Sequence, residues 1–127
     1  MPTVLIIDDN ASVITALEVL FSLHDIKTLR ASTPLEGLSL LQKSNVDLVL
    51  QDMNFTEDTT SGDEGVALFK DIRKLHPDLP VILLTAWTHL DAAVRLIKDG
   101  AADYLAKPWD DKKLLASAIN LIELSQT

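Results

Sequence analysis

The chain has 127 residues, with 11 basic and 19 acidic side chains and a formal net charge of −8. This length predicts a single domain over residues 1–127, since domains most often contain about 100–150 residues, and 47% hydrophobic residues exclude a disordered chain. The acidic balance argues against direct nucleic-acid binding, and the lack of cysteine excludes disulfides, thiolate metal sites and cysteine catalysis. With no apolar run near the ~20 residues of a membrane span and no signal peptide in Met1-Pro2-Thr3, we expect a cytoplasmic protein without membrane contact.

Three short apolar runs predict strands that are buried on both faces of a parallel sheet. Each run is rich in branched residues, is too short for a helix and stops at a polar residue. These runs are Val4–Ile7, Leu48–Leu50 and Val81–Leu84. Two more polar segments, Ile26–Arg30 and Asp103–Ala106, predict the edge strands of the same sheet.

Helical patterns lie between the predicted strands. In the first, apolar residues and His24 repeat at a spacing of 3.6 residues. Thr33 and Glu36 form a capping-box pattern at the start of the second, and Gly100 predicts the end of the fourth. The predicted helices are Val13–His24, a helix beginning at Pro34, Val66–Leu75, Leu90–Asp99 and Asp111–Leu124.

Five strands alternating with five helices predict an α/β fold, a doubly wound parallel sheet with helices on both faces. Such sheets bind ligands beyond the carboxyl ends of their strands, so the residues that follow the strands are the candidate site. Taken singly, each has a structural explanation: Asp9 or Asn10 as a helix cap, a threonine at a strand end, a solvated lysine. Together they predict a common site at one edge of the sheet. The residues at the strand ends are Asp8, Asp9, Asp52, Thr85 and Lys107.

The three aspartates of this group indicate a metal site. Two carboxylates ~4 Å apart repel by about 4 kcal/mol at an effective dielectric constant near 20, so one would take up a proton without compensation. A hard divalent cation removes the repulsion, and all-oxygen ligands favour Mg²⁺ or Mn²⁺. Lys107 supplies a positive charge for a phosphoryl oxygen and Thr85 a hydroxyl donor, so the group is equipped for phosphoryl transfer.

Four ordered segments with their spacing make the chain resemble the receiver domain of two-component response regulators. The segments are Leu5–Asn10, Asp52–Asn54, Leu84–Ala86 and Asp103–Pro108. The resemblance covers essentially the whole chain. It implies a flavodoxin-like (βα)5 fold with strand order 2-1-3-4-5, and a cis peptide bond between Lys107 and Pro108.

The resemblance also implies roles for the strand-end residues. Asp52 would accept a phosphoryl group from a phosphohistidine of a sensor histidine kinase, and Lys107 would bind that group. Asp8, Asp9 and Asp52 would hold Mg²⁺ together with the backbone carbonyl of Asn54. The protein would be a signalling switch that catalyses its own phosphorylation and dephosphorylation, not an enzyme with an external substrate.

The predicted switch consists of Thr85 and Tyr104. By resemblance, Thr85 moves toward the phosphoryl group and Tyr104 turns inward in response, although Tyr104 also suits a half-buried aromatic residue of an edge strand. We expect the change to alter the face made by the fourth helix, fifth strand and fifth helix. Homodimerisation on activation is expected there, or through the first and fifth helices.

Three short strings point to a subgroup of receivers. Asp52–Phe55, Thr85–Trp87 and Lys107–Asp110 resemble the receivers at the front of sigma-54-dependent activators of the nitrogen-regulation class. Such regulators carry an ATPase module and a DNA-binding module after the receiver, so the output would be transcription. By the same resemblance, Trp87 stands at a position that influences how fast the phosphoryl group is lost.

The segment after Asp52 departs from the family pattern. It is about five residues longer than usual, and Thr56 stands where a proline is common. The acidic stretch over residues 56–64 suits a surface loop, or alternatively a segment that shapes access to Asp52 or the choice of kinase.

Three other functions compete with the phosphoacceptor. A haloacid-type phosphatase would need a second aspartate where Asp52-Met53-Asn54 has an asparagine. A flavin-binding module would need a Ser/Thr/Gly-rich loop where the chain has Asp8-Asp9-Asn10. A pseudo-receiver would lack site residues that this chain contains.

Overall fold

The computed structural model describes residues 1–53, 63–86 and 90–125, which form strands alternating with helices. In chain order the elements are β1 (Thr3–Ile7), α1 (Ala11–Ser22), β2 (Lys27–Ala31), α2 (Pro34–Lys43), β3 (Leu48–Asp52), α3 (Asp63–Leu75), β4 (Val81–Thr85), α4 (Leu90–Lys98), β5 (Asp103–Ala106) and α5 (Asp111–Ser125). In these ranges, no helix has the length and apolar character that a membrane crossing requires.

The strands form one parallel sheet in the order β2-β1-β3-β4-β5. This confirms the α/β class, the doubly wound sheet and the order implied by the resemblance. The two more polar strands, β2 and β5, lie at the edges as predicted. Because all five strands run in the same direction, their carboxyl ends meet at one edge of the sheet.

The sheet is covered on both faces because its strands alternate their side chains between two apolar clusters. Val4 and Ile6 of β1 pack into the cluster that includes residues of α1 and α5. Leu5 and Ile7 pack into the other cluster, which includes residues of α2, α3 and α4. The near-continuous apolar runs in the sequence follow from this burial on both faces.

The ends of several elements differ from the predictions. Asp52 and Thr85 are the last residues of β3 and β4, so each strand extends to its site residue. Helix α3 begins three residues before the predicted start. The first helix ends before His24, the last residue of the predicted pattern: α1 ends at Ser22, and His24 lies beyond it and is exposed.

The caps explain where two helices begin. The side chain of Asn10 accepts hydrogen bonds from the backbone N–H groups of Ser12 (2.9 Å) and Val13 (3.3 Å), so Asn10, and not Asp9, caps α1. Thr33 caps α2 by accepting from the N–H of Glu36 at 3.1 Å. The structure thus decides between the two cap candidates for α1.

Two glycines also have conformational roles. Gly100 follows α4 with φ +113°, a conformation that favours glycine and ends the helix as predicted. Gly37 of α2 lies directly over β1, where an added Cβ would come within 2.5 Å of Ile7 Cδ1. The close approach of α2 to the sheet therefore depends on glycine at position 37, because glycine has no Cβ atom.

Arg73 ties together the loops at the end of the sheet opposite the strand carboxyl ends. Its guanidinium donates to the carbonyls of Leu79 at 2.7 Å and Gly100 at 3.2 Å, and to two further carbonyls between α3 and β4. It also lies 5.0 Å from the centre of the Phe69 ring. Burial lowers the pKa of Arg73 and the charge of Asp78 opposes this, but the group stays protonated at physiological pH.

Candidate functional site

The sheet brings the predicted strand-end residues to one edge. Asp8 follows β1, Asp52 ends β3, and both side chains are completely buried. Lys107 follows β5, at the far side of β4. Four sequence-distant strands are therefore needed to assemble the group, and the parallel arrangement places their ends together.

Lys107 connects the two buried carboxylates. Its Nζ donates to Asp52 Oδ1 at 3.0 Å and to Asp8 Oδ2 at 3.2 Å. The second oxygen of Asp8 accepts from the backbone N–H of Asn10 at 2.9 Å. The peptide bond between Lys107 and Pro108 is cis, as the resemblance implied. One cation, which reaches from the end of β5 past β4, thus bonds both Asp8 and Asp52 at the ends of the neighbouring strands β1 and β3.

The pKa values of this group reflect burial and charge. Burial raises the pKa of Asp8 above its ordinary value, against the opposing effects of the Asn10 N–H and of Lys107. For Lys107, burial alone would lower the pKa, but Asp52 and Asp8 together outweigh it and hold it above the ordinary value. Lys107 is therefore positively charged at physiological pH, while Asp8 is an ionised carboxylate only at an energetic cost.

The carboxylates of Asp8, Asp9 and Asp52, which the sequence predicted to form a metal site, lie close together in the structure. One oxygen from each lies within 4.8 Å of the others, with Asp9 the most exposed. An oxygen-only donor set of this kind fits Mg²⁺ or Mn²⁺. The fourth predicted ligand, the carbonyl of Asn54, lies outside the described residues, as do Trp87 and most of the acidic segment over residues 56–64.

The two predicted switch residues lie on neighbouring strands. Thr85 is buried at the end of β4, one residue beyond the pairing partner of Asp52, and its hydroxyl donates to the Ala86 carbonyl at 3.0 Å. Tyr104 lies in the edge strand β5 with 37% of its surface exposed. This arrangement is compatible with the half-buried edge-strand tyrosine that the sequence also allowed.

One buried polar residue beside the site was missed from the sequence. Gln51 precedes Asp52 and is completely buried. Because the apolar run stops at Leu50, the sequence pattern marks Gln51 only as the polar boundary of that run. Strand alternation could have indicated that Gln51 is buried, because it directs Gln51 to the face of the sheet opposite Asp52, where α3 packs.

The sequence matches the family model of the response regulator receiver domain over residues 4–119. The chain belongs to the response regulator receiver family. This membership favours the phosphoacceptor hypothesis over the haloacid-type phosphatase and the flavin module, which belong to other families. The receiver domain is a signalling switch of two-component systems and not a conventional enzyme.

Relatives and solved structures agree with this membership. The receiver domain is 33% identical over 127 residues to the transcriptional regulatory protein ZraR of Klebsiella oxytoca, covering 98% of this chain and 28% of that protein. It is 35% identical over 118 residues to the DNA-binding transcriptional regulator NtrC of Escherichia coli K12, covering 93% of this chain and 23% of that protein. A crystal structure of the N-terminal signal receiver domain of a two-component response regulator from Bacteroides fragilis superposes with a TM-score of 0.85 at 40% identity, covering 96% and 97% of the two chains.

These matches bear on the subgroup as well as the family. The similarity to NtrC agrees with the resemblance to nitrogen-regulation regulators. The chain spans about a quarter of the length of ZraR and NtrC, so it corresponds to one part of such proteins.

Proposed function

We propose that residues 1–127 act as one receiver unit that accepts a phosphoryl group on Asp52 from the phosphohistidine of a sensor histidine kinase, in a Mg²⁺-dependent reaction. The observation that carries the proposal is the buried carboxylate of Asp52. It accepts a hydrogen bond from the Lys107 ammonium, as Asp8 does, and one of its oxygens lies within 4.8 Å of an oxygen of Asp9. A nucleophilic carboxylate, a fixed cation and further carboxylates for a metal are the parts that phosphoryl transfer to an aspartate requires.

The transfer step follows from these groups. A carboxylate oxygen of Asp52 attacks the phosphorus, the phosphorus–nitrogen bond of the phosphohistidine breaks, and the imidazole leaves as it takes up a proton. Asp8, Asp9 and Asp52 would hold the divalent cation, with the predicted carbonyl of Asn54. When bound, this ion neutralises charge on the phosphoryl oxygens. Lys107 donates to the transferred group and compensates the charge that remains on Asp52.

The new dianionic group on Asp52 would then act on Thr85 and Tyr104. The Thr85 hydroxyl exchanges its bond to the Ala86 carbonyl for one to a phosphoryl oxygen, and Tyr104 moves inward from its partly exposed position. Attack of water on the acyl phosphate returns the chain to its resting state, so the receiver also discharges itself.

The output of the switch would be transcription. The names of ZraR and NtrC, a transcriptional regulatory protein and a DNA-binding transcriptional regulator, support a role in a regulator of this kind. Its ATPase and DNA-binding modules would lie outside the 127 residues, as in sigma-54-dependent activators. Activation would promote homodimerisation through α4, β5 and α5, or through α1 and α5, which sedimentation with and without beryllofluoride would detect.

Phosphorylation with a small donor tests the central proposal. Incubation with acetyl phosphate and Mg²⁺ should add one acid-labile phosphoryl group, measured by mass spectrometry, and chelation of the metal should prevent it. Asp52→Asn should abolish the label, whereas Asp99→Asn, an exposed aspartate in the loop after α4, should leave it intact. A labelled Asp52→Asn protein would refute the assignment.

A further inference from the structure

Gln51 is a fully buried polar residue in the middle of an apolar core layer. It lies in β3 between Leu50 and Asp52, and its pairing partners on the neighbouring strands are Ile7 and Leu83. Strand alternation directs Gln51 toward α3 and Asp52 toward the opposite face. No step of the proposed phosphoryl transfer uses Gln51.

The contacts of Gln51 join the two ends of the segment that follows the phosphoacceptor. Its Nε2 donates to the carbonyl of Gly65, in the first turn of α3, at 2.6 Å, and lies 3.5 Å from the sulfur of Met53. Gly65 itself packs on Met53, since an added Cβ would lie 2.9 Å from both Met53 Cα and Sδ. Met53 and Gly65, which precede and follow residues 54–62, are therefore in contact, and the side chain of Gln51 bonds to both.

Met53 is in turn fixed to the sheet. Its backbone N–H donates to the carbonyl of Leu84 at 2.8 Å, which continues the pairing of β3 and β4 by one residue beyond Asp52. The backbone on the carboxyl side of Asp52 is thus held by a sheet hydrogen bond, by the packing of Gly65 and by the amide of Gln51.

Stability alone does not explain a glutamine at this position. Gln51 Oε1 is buried and accepts no hydrogen bond from any residue in the described part of the chain, and an unsatisfied buried oxygen is destabilising. The carbonyl of Gly65 does not require Gln51 either, because an α-helix provides it with a donor four residues later. An apolar residue of similar size would avoid this cost, so the contribution of Gln51 lies in geometry.

We propose that Gln51 is a positioning residue for the metal-binding carboxylates, because it clamps Gly65 onto Met53 and so fixes the backbone that follows Asp52. The inference rests on the proposed Mg²⁺ site and extends it to a residue on the other face of the sheet. Groups that orient metal ligands without touching the metal commonly change metal affinity by 10-fold or more when they are removed.

Mg²⁺ affinity and thermal stability, measured separately, test the role of Gln51. Gln51→Met keeps the length of the side chain and removes its amide, and Gln51→Leu serves if the first variant does not fold. We expect the dissociation constant for Mg²⁺, measured by calorimetric titration, to rise about 10-fold, while the melting temperature in EDTA stays the same or increases. Leu83→Met, a change in the adjacent buried residue of β4, is the matched control and should leave the affinity unchanged.

Opposite changes in affinity and stability distinguish positioning from simple packing. Unchanged affinity in both Gln51 variants, or an affinity loss that Leu83→Met reproduces, would overturn the assignment of Gln51. A wild-type chain that binds no Mg²⁺ would overturn the proposed metal site and this role with it, so the two failures are separable.

A second substitution tests the route of the effect. Gly65→Ala introduces a Cβ into the contact with Met53 and should weaken Mg²⁺ binding in the same direction. If the clamp acts as a unit, Gln51→Met should add little to the affinity loss in the Gly65→Ala background. Full additivity would show that Gln51 does not act through Gly65 and would refute the clamp.

Discussion

Replacement of Lys107 by methionine should destabilise the metal-free protein in a manner that depends on pH. The Nζ atom lies 3.0 Å from an oxygen of Asp52 and 3.2 Å from one of Asp8, both completely buried. Each attraction amounts to about 5 kcal/mol at an effective dielectric constant near 20. The 26% exposure of the lysine side chain and the desolvation of all three groups reduce the net value.

The size of the loss is bounded by protonation. Without Lys107, Asp8 and Asp52 can relieve their repulsion if one of them takes up a proton, which costs about 4 kcal/mol at pH 7 for an ordinary aspartate and about 1 kcal/mol at pH 4.5. We therefore expect Lys107→Met to lower the free energy of unfolding by about 3 kcal/mol at pH 7 and by about 1 kcal/mol at pH 4.5.

Urea unfolding followed by circular dichroism in EDTA at the two pH values measures this difference. Lys113→Met, which removes an exposed lysine of α5, is the matched control and should change the free energy of unfolding by less than about 0.5 kcal/mol. Addition of Mg²⁺ should stabilise Lys107→Met more than the wild type, because the ion then supplies the missing positive charge. An equal loss at both pH values, or no loss at pH 7, would refute the electrostatic reasoning.

Three further predictions concern the fold and the site. Arg73→Met should lower the free energy of unfolding by about 2 kcal/mol, since the guanidinium donates to four carbonyls, while Lys74→Met at the exposed neighbouring position should be nearly neutral in the same urea titration. Gly37→Val should cost about 1–3 kcal/mol through overpacking against Ile7, and Ile7→Val should recover part of the loss in the double variant. Burial raises the pKa of Asp8 in the folded state, so the stability of the metal-free protein should fall as the pH rises from the pKa of Asp8 in the unfolded chain to its pKa in the folded protein. Asp8→Asn should flatten this fall in urea midpoints measured over a series of pH values. The same pH dependence in Asp8→Asn and the wild type would contradict the raised pKa.

The order of elements and most of the site could be predicted because they depend on local patterns. Apolar runs such as Val81–Leu84 can be buried on both faces only in a covered parallel sheet, and strand ends in such a sheet converge. The sequence therefore predicts that Asp8, Asp52 and Lys107 lie together, and the structure joins them at hydrogen-bonding distance. The roles proposed for Asp52, Thr85 and Tyr104 come from family resemblance and stay predictions.

The errors and omissions share a physical cause. His24 continues a 3.6-residue pattern, but a pattern does not reveal that α1 ends at Ser22 and leaves the residues after it exposed. Between Asp9 and Asn10, both good capping residues, only the direction of the chain after β1 selects the second. Each outcome depends on how the chain turns after an element, which neighbouring residues do not encode.

The sequence by itself determined the class of fold, the parallel sheet and the identity of the acidic group, because periodicity and strand-end chemistry are properties of consecutive residues. Only the tertiary structure decided how that group is held. The contact of Lys107 with Asp8 spans 99 residues, and the hydrogen bond from Gln51 to Gly65 joins β3 to α3. Such contacts depend on how distant elements pack together. The role of a buried polar residue such as Gln51 can therefore be inferred only when its hydrogen-bond partner is known.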